Sequence, residues 1–92
     1  MNKNKKDMVL QLRKMEENKK CLEIRIKELN EEIKELEIKV GLGTDKFLNA
    51  RECDLRELEN NYDVIELYEE QLKTINHRMK KISEKLIASN KR

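Results

Sequence analysis

The side chains from which chemistry would have to be built are few: Cys21, Cys53, His77 and neighbouring carboxylates such as Glu31-Glu32 and Glu69-Glu70. The two cysteines are not spaced as a zinc or redox motif, and the single histidine has no second metal ligand at useful spacing. Adjacent acids point to different sides of a helix, so neither carboxylate pair can share a proton-transfer task. Gly41-Leu42-Gly43 follows a helical pattern and lacks the spacing of a phosphate-cradling loop. These residues predict no catalytic, metal or cofactor site, hence a non-enzymatic chain.

The elements that carry them are plainer. Met8, Leu12, Met15, Lys19, Leu22, Ile26, Leu29, Ile33, Leu36 and Val40 lie alternately four and three apart, and only Lys19 is polar. That period keeps one seam of a helix facing one partner, so it predicts a coiled coil over about residues 5–40. Gly41 suits a left-handed helix stop, with Leu42 folding back onto Leu36. Thr44 then offers an N-cap and Asp45 a favourable charge on the first turn of a second helix, expected over about 45–88. A turn over 41–44 joins antiparallel neighbours, so the fold expected for 1–92 is a single all-α hairpin with a frayed tail at 89–92.

Helix 2 offers Leu48, Leu55, Leu58, Tyr62 and Ile65, then Tyr68, Leu72, Ile75, Met79, Ile82 and Leu86. Two spacings of three meet between Tyr62 and Tyr68, which reads as a stammer. With the turn centred near residue 43 or 44, facing residues have numbers summing to about 87 or 88 (hairpin register). Val40 then meets Phe47 and Leu48, Ile33 meets Leu55, Leu29 meets Leu58, and Ile26 meets Tyr62. Lys19 falls opposite Tyr68 and Glu69, either as a register device or with its ammonium reaching out to water. Cys21 lies about 20 Å from Cys53 in this arrangement, which excludes an internal disulfide and leaves two small, partly covered hydrophobes.

Charged residues make up 43% of the 92 positions and aromatics 3%, with no Pro or Trp, so there is material for one helical layer and little more. No stretch approaches the roughly 18 apolar residues of a membrane span, and the first residues are polar and basic with no apolar run of the signal-peptide kind behind them. The expectation is a cytoplasmic protein, or one exported without a signal peptide. The net charge of +2 hides an uneven distribution. Residues 1–20 and 71–92 are strongly basic, whereas 21–70 are acidic.

Outside the seam, Leu10, Ile24 and Ile38 recur every 14 residues on helix 1, and Val64, Leu67 and Ile87 form a sparser set on helix 2. A two-helix layer buries one stripe per helix, so a second stripe predicts another helical surface, from a second copy or from a partner. The leading expectation is therefore a protein-binding module: an adaptor, targeting chaperone or inhibitor of a larger helical protein. Phosphate-driven binding of nucleic acid by the basic segments is the alternative, and a structural coiled-coil spacer is a third.

The turn Gly41-Leu42-Gly43-Thr44-Asp45-Lys46-Phe47 resembles that of the small WXG-type hairpin proteins of type VII secretion. Leu42 stands where that family has its tryptophan, and the likeness otherwise rests on hairpin architecture and a glycine followed by a phenylalanine. The high surface charge is more similar to the charged hairpin adaptors that accompany exported toxins, and Tyr62 followed by Glu66 resembles the tyrosine-acid export signal, here inside a helix. The resemblance implies a hairpin that pairs into a four-helix bundle or binds the helical N-terminal domain of a toxin.

Overall fold

The computed structural model describes residues 3–90 as an all-α hairpin: α1 (Lys3–Val40), a short 3-10 helix (Asp45–Asn49) and α2 (Glu52–Asn90). No strand occurs among the described residues. The chain divides into two compact units, one made of Met1–Glu23 with Glu70–Arg92, the other of Ile24–Glu69. They are called the terminal unit and the turn unit below.

In the turn unit, the α1 seam is buried as its spacing requires: Leu29, Ile33, Leu36 and Val40 are all inside, with Leu58 from α2. Ala50, Leu55 and Ile65 pack against this cluster. In the terminal unit the same spacing gives Met8, Leu12, Met15, Lys19 and Leu22, together with Leu72, Ile75, Met79, Ile82 and Leu86. Every one of these is only partly buried.

α1 ends as the glycine predicts. Gly41 has φ +71°, its N–H donates to the Ile38 carbonyl and the Leu42 N–H to the Glu37 carbonyl, the two bonds of a Schellman stop. Helix 2 does not start where Thr44 and Asp45 predict. Thr44 does act as a cap, but of the 3-10 turn: its hydroxyl accepts from the Lys46 N–H at 3.3 Å and donates to the Gly41 carbonyl at 2.6 Å. The chain folds so tightly over Gly41 that a Cβ there would lie 2.6 Å from the Lys46 Cβ. The turn closes at Ala50, whose extended backbone ends it, and the first turn of α2 is built on the Arg51 carbonyl. The connection therefore spans 41–51, not 41–44. At the other end Ser89 and Asn90 are helical, and the rest of the tail expected to fray lies outside the described residues.

The longer connection changes the register. Lys39 pairs with Asp54, and Arg25 lies against Tyr68; each pair of numbers sums to 93. Facing residues are thus displaced by nearly one heptad from the expected register. Leu36 is level with Leu58, Leu29 with Ile65, and Ile33 with Asn61. Leu48, expected against Val40, is 84% exposed, and Phe47 and Tyr62 are exposed as well.

The stammer also disappears. The α2 positions that face α1 are Asp54, Leu58, Asn61, Ile65, Tyr68, Leu72, Ile75, Met79, Ile82 and Leu86, with an unbroken alternation of four and three. Tyr62 looked like a seam residue because it is apolar, but the seam runs through the polar Asn61 beside it.

Candidate partner-binding surface

A helix in a coiled coil turns its seam inward and leaves the opposite side to water, where polar residues are expected. α1 breaks that rule in three places. Relative to the seam positions Met8, Leu22 and Leu36, the residues two further on are Leu10, Ile24 and Ile38, which puts them on the outer face. All three are exposed, Ile38 at 81%. On α2, Leu67 and Ile87 are exposed, while Val64 is partly buried beside the seam.

These residues divide between the units. The terminal unit holds Leu10 and Ile87, the turn unit Ile24, Ile38, Val64 and Leu67. In the turn unit the apolar surface continues into the connection. Leu42 lines a groove with Lys34, Glu37 and Ile38, and Phe47 and Leu48 are exposed beyond it. The turn residues Gly41, Leu42, Gly43 and Phe47 therefore split in role: the two glycines, with φ +71° and +82°, shape the stop, and the two apolar side chains face outward.

The polar contacts of the turn unit fix its register. Asp54 is 7% exposed and its Oδ1 lies 3.3 Å from the Lys39 Nζ. The Tyr62 hydroxyl donates to Glu37 Oε2 at 2.8 Å. Donating to a carboxylate favours the neutral phenol, so the Tyr62 pKa is raised above its ordinary value, with desolvation adding in the same direction. The Glu28 carboxylate at 3.0 Å, with the Tyr68 hydroxyl beside it, holds the Arg25 guanidinium above its usual pKa. Asn61 Nδ2 is buried and has no hydrogen-bond partner among the described residues.

The layer expected to join Lys19 with Tyr68 and Glu69 is not built. Lys19 is partly buried in the terminal unit and makes no ion pair among the described residues; Tyr68 turns to Arg25, and Glu69 is exposed. The one-heptad change of register is the reason, since it brings Lys19 level with Ile75.

Sequence reasoning missed Asp54, Asn61 and the cross-helix contacts of Glu37 and Lys39. The signal for the first two was present: stepping back from Tyr68 by three, four, three and four reaches Ile65, Asn61, Leu58 and Asp54. Cys21 and Cys53 are free and exposed, not partly covered, because they stand off the seams. Among the described residues no group of three or more His, Cys, Asp or Glu could hold a metal ion, and no helix is long and apolar enough to cross a membrane.

No family model, no curated protein and no solved structure matches this chain.

Proposed function

We propose that this hairpin is a non-enzymatic protein-binding module that works by lending its helices to a larger helical partner, as an adaptor, targeting chaperone or inhibitor. The observation that carries the reading is the state of the terminal unit. Not one of its described side chains is buried, although its seams supply nine apolar residues at coiled-coil spacing. Small helical layers of this kind ordinarily gain their remaining burial from another chain. In the turn unit the exposed Ile24 and Ile38, on the side of α1 away from its seam, support the same conclusion, because exposed apolar side chains grouped on one face mark interaction surfaces. An exported toxin with a helical N-terminal domain is the partner class that the WXG-type likeness suggests.

Size-exclusion chromatography with light scattering, on the protein alone and with candidate helical partners, tests this. A stable complex or self-assembly that is lost in the Ile24→Glu/Ile38→Glu variant is expected. A monomer that stays inert with every helical partner counts against the reading.

A second reading rests on charge. The terminal unit carries 14 Lys or Arg against 6 acids, the turn unit 7 against 13. Such a basic surface attracts polyphosphate, and the affinity would fall steeply with salt. A titration against duplex and single-stranded nucleic acid at two salt concentrations decides it, since absence of binding at low salt removes this reading.

A further inference from the structure

We propose that the chain completing the terminal unit is a second copy of this protein, whose turn unit docks against it, with a two-fold axis repeating the contact so that each copy gives one unit and receives the other. The inference rests on the reading above, that another helical chain supplies the burial the terminal unit lacks, and it names that chain.

Charge selects the pairing. The terminal unit carries 14 Lys or Arg against 6 acids, a net +8, and the turn unit 7 against 13, a net −6. Copies that set like units together would oppose +8 to +8 and −6 to −6. Unlike units attract at both contacts, and a two-fold arrangement closes at two copies.

These charges are unpaired within their own units. In the turn unit Glu32, Glu35 and Glu57 line one groove with Leu36 and Lys39. The Lys39 ammonium is already engaged by Asp54, and none of the three glutamates makes an ion pair among the described residues. Glu28 and Glu32, like Glu31 and Glu35, stand one helical turn apart, a spacing at which like charges repel. In the terminal unit Lys81 and Lys85 repeat that spacing with the opposite sign and share a groove with Glu84 and Ala88. Neither lysine, nor the exposed Lys14 on α1, makes an ion pair among the described residues. Each unit thus holds exposed like charges whose repulsion a surface of opposite sign relieves.

Apolar side chains accompany the charges on both units. Ile24, Ile38 and Leu67 are exposed on the turn unit, Val9, Leu10 and Ile87 on the terminal unit. Apolar contact ringed by complementary charge is the ordinary anatomy of a protein interface.

Light scattering and cross-linking on the full chain test the pairing. A dimer is expected at micromolar concentration in low salt, and raising the salt from about 50 mM to about 0.5 M should weaken it about tenfold or more, because the attraction between unlike units is screened. In a mixture of isotope-labelled and unlabelled chains, lysine cross-links between copies should join the turn unit to the terminal unit. Glu32→Lys/Glu35→Lys/Glu57→Lys, at exposed positions, removes the net charge of the turn unit, and Lys14→Glu/Lys81→Glu/Lys85→Glu lowers that of the terminal unit to +2. Each variant alone should be monomeric where the wild type pairs, and an equal mixture, which restores one native contact, should pair more tightly than either. Circular dichroism checks that the variants stay helical; if one does not, the salt response and cross-links of the wild type decide.

A dimer that salt strengthens, cross-links that join only like units, or folded variants that pair as the wild type does would each overturn the proposal. So would a monomer at low salt, and hydrogen–deuterium exchange on that monomer separates the two claims. Faster exchange in residues 3–23 and 70–90 than in the turn unit leaves the proposed function standing with a different partner, whereas equal protection of both units removes it as well.

Discussion

The ammonium of Lys39 on α1 lies 3.3 Å from the buried carboxylate of Asp54 on α2, one layer from the turn, where the buried core begins. Val40, 2% exposed, sits beside this pair and closes the core cluster above Leu36 and Leu58. A charge in a coiled-coil seam is tolerated when a counter-charge reaches it from the flank, and Lys39 does so with its own stem largely in water.

Removing the lysine therefore does more harm than removing both partners. Lys39→Met leaves Asp54 buried without a counter-charge and should destabilise the hairpin by about 1 kcal/mol, discounted for the exposure of Lys39. Lys39→Met combined with Asp54→Leu should recover that loss or exceed wild-type stability. Urea denaturation followed by circular dichroism measures both, and equal losses in single and double variants would show that the pair does not act as described.

The two glycines of the turn should respond unequally to substitution by alanine. Both have positive φ, which costs an L-residue about 1 kcal/mol. At Gly43 nothing lies within 4 Å of an added Cβ. At Gly41 the Cβ meets Lys46 at 2.6 Å and Thr44 Oγ1 at 2.8 Å, so the turn must also open. Gly41→Ala is expected to cost at least about twice as much as Gly43→Ala in the same denaturation measurement.

Much of the fold was legible in the residues, and the losses have identifiable causes. α1 was readable to its last residue because nine apolar positions keep the heptad spacing and Gly41 stops it. The start of α2 was not, because Thr44-Asp45 is an adequate helix start and nothing local announces that the chain will tighten over Gly41 and turn again at Ala50. The register followed from that boundary and carried its error. The apparent stammer arose because hydrophobicity favours Tyr62 over Asn61, although the spacing favours Asn61. Of the candidate surface, Leu10, Ile24, Ile38, Leu67 and Ile87 stand exposed as the stripe reading expects, whereas Lys19 and Glu69 do not form a layer.

Asn61 offers a stabilising substitution. Its buried amide nitrogen lacks a partner level with Ile33, so Asn61→Leu removes an unsatisfied donor and adds apolar contact. A gain of about 1–2 kcal/mol is expected, with thermal unfolding as the readout. A loss of stability would mean that the Asn61 amide is satisfied in solution.

Tyr62 provides a pH-dependent prediction. Its phenol is held neutral by donation to Glu37, so its folded pKa lies above the unfolded value of about 10. The contribution is complete below the unfolded pKa and is lost as pH rises through the folded one, where a tyrosinate would face a carboxylate. Tyrosinate absorbance in a Tyr68→Phe background should titrate later in the folded protein than in urea. Glu37→Gln, which removes the charge, should bring the two titrations closer together.

The central claim, that the terminal unit is completed by another helical chain, is tested most directly by hydrogen–deuterium exchange on the purified protein, with light scattering to establish when it is monomeric. Amides of residues 3–23 and 70–90 should exchange well ahead of those around Leu29, Leu36 and Leu58 in the monomer, and should become protected when a helical partner or second copy binds. Equal protection of both units in a confirmed monomer would contradict the account.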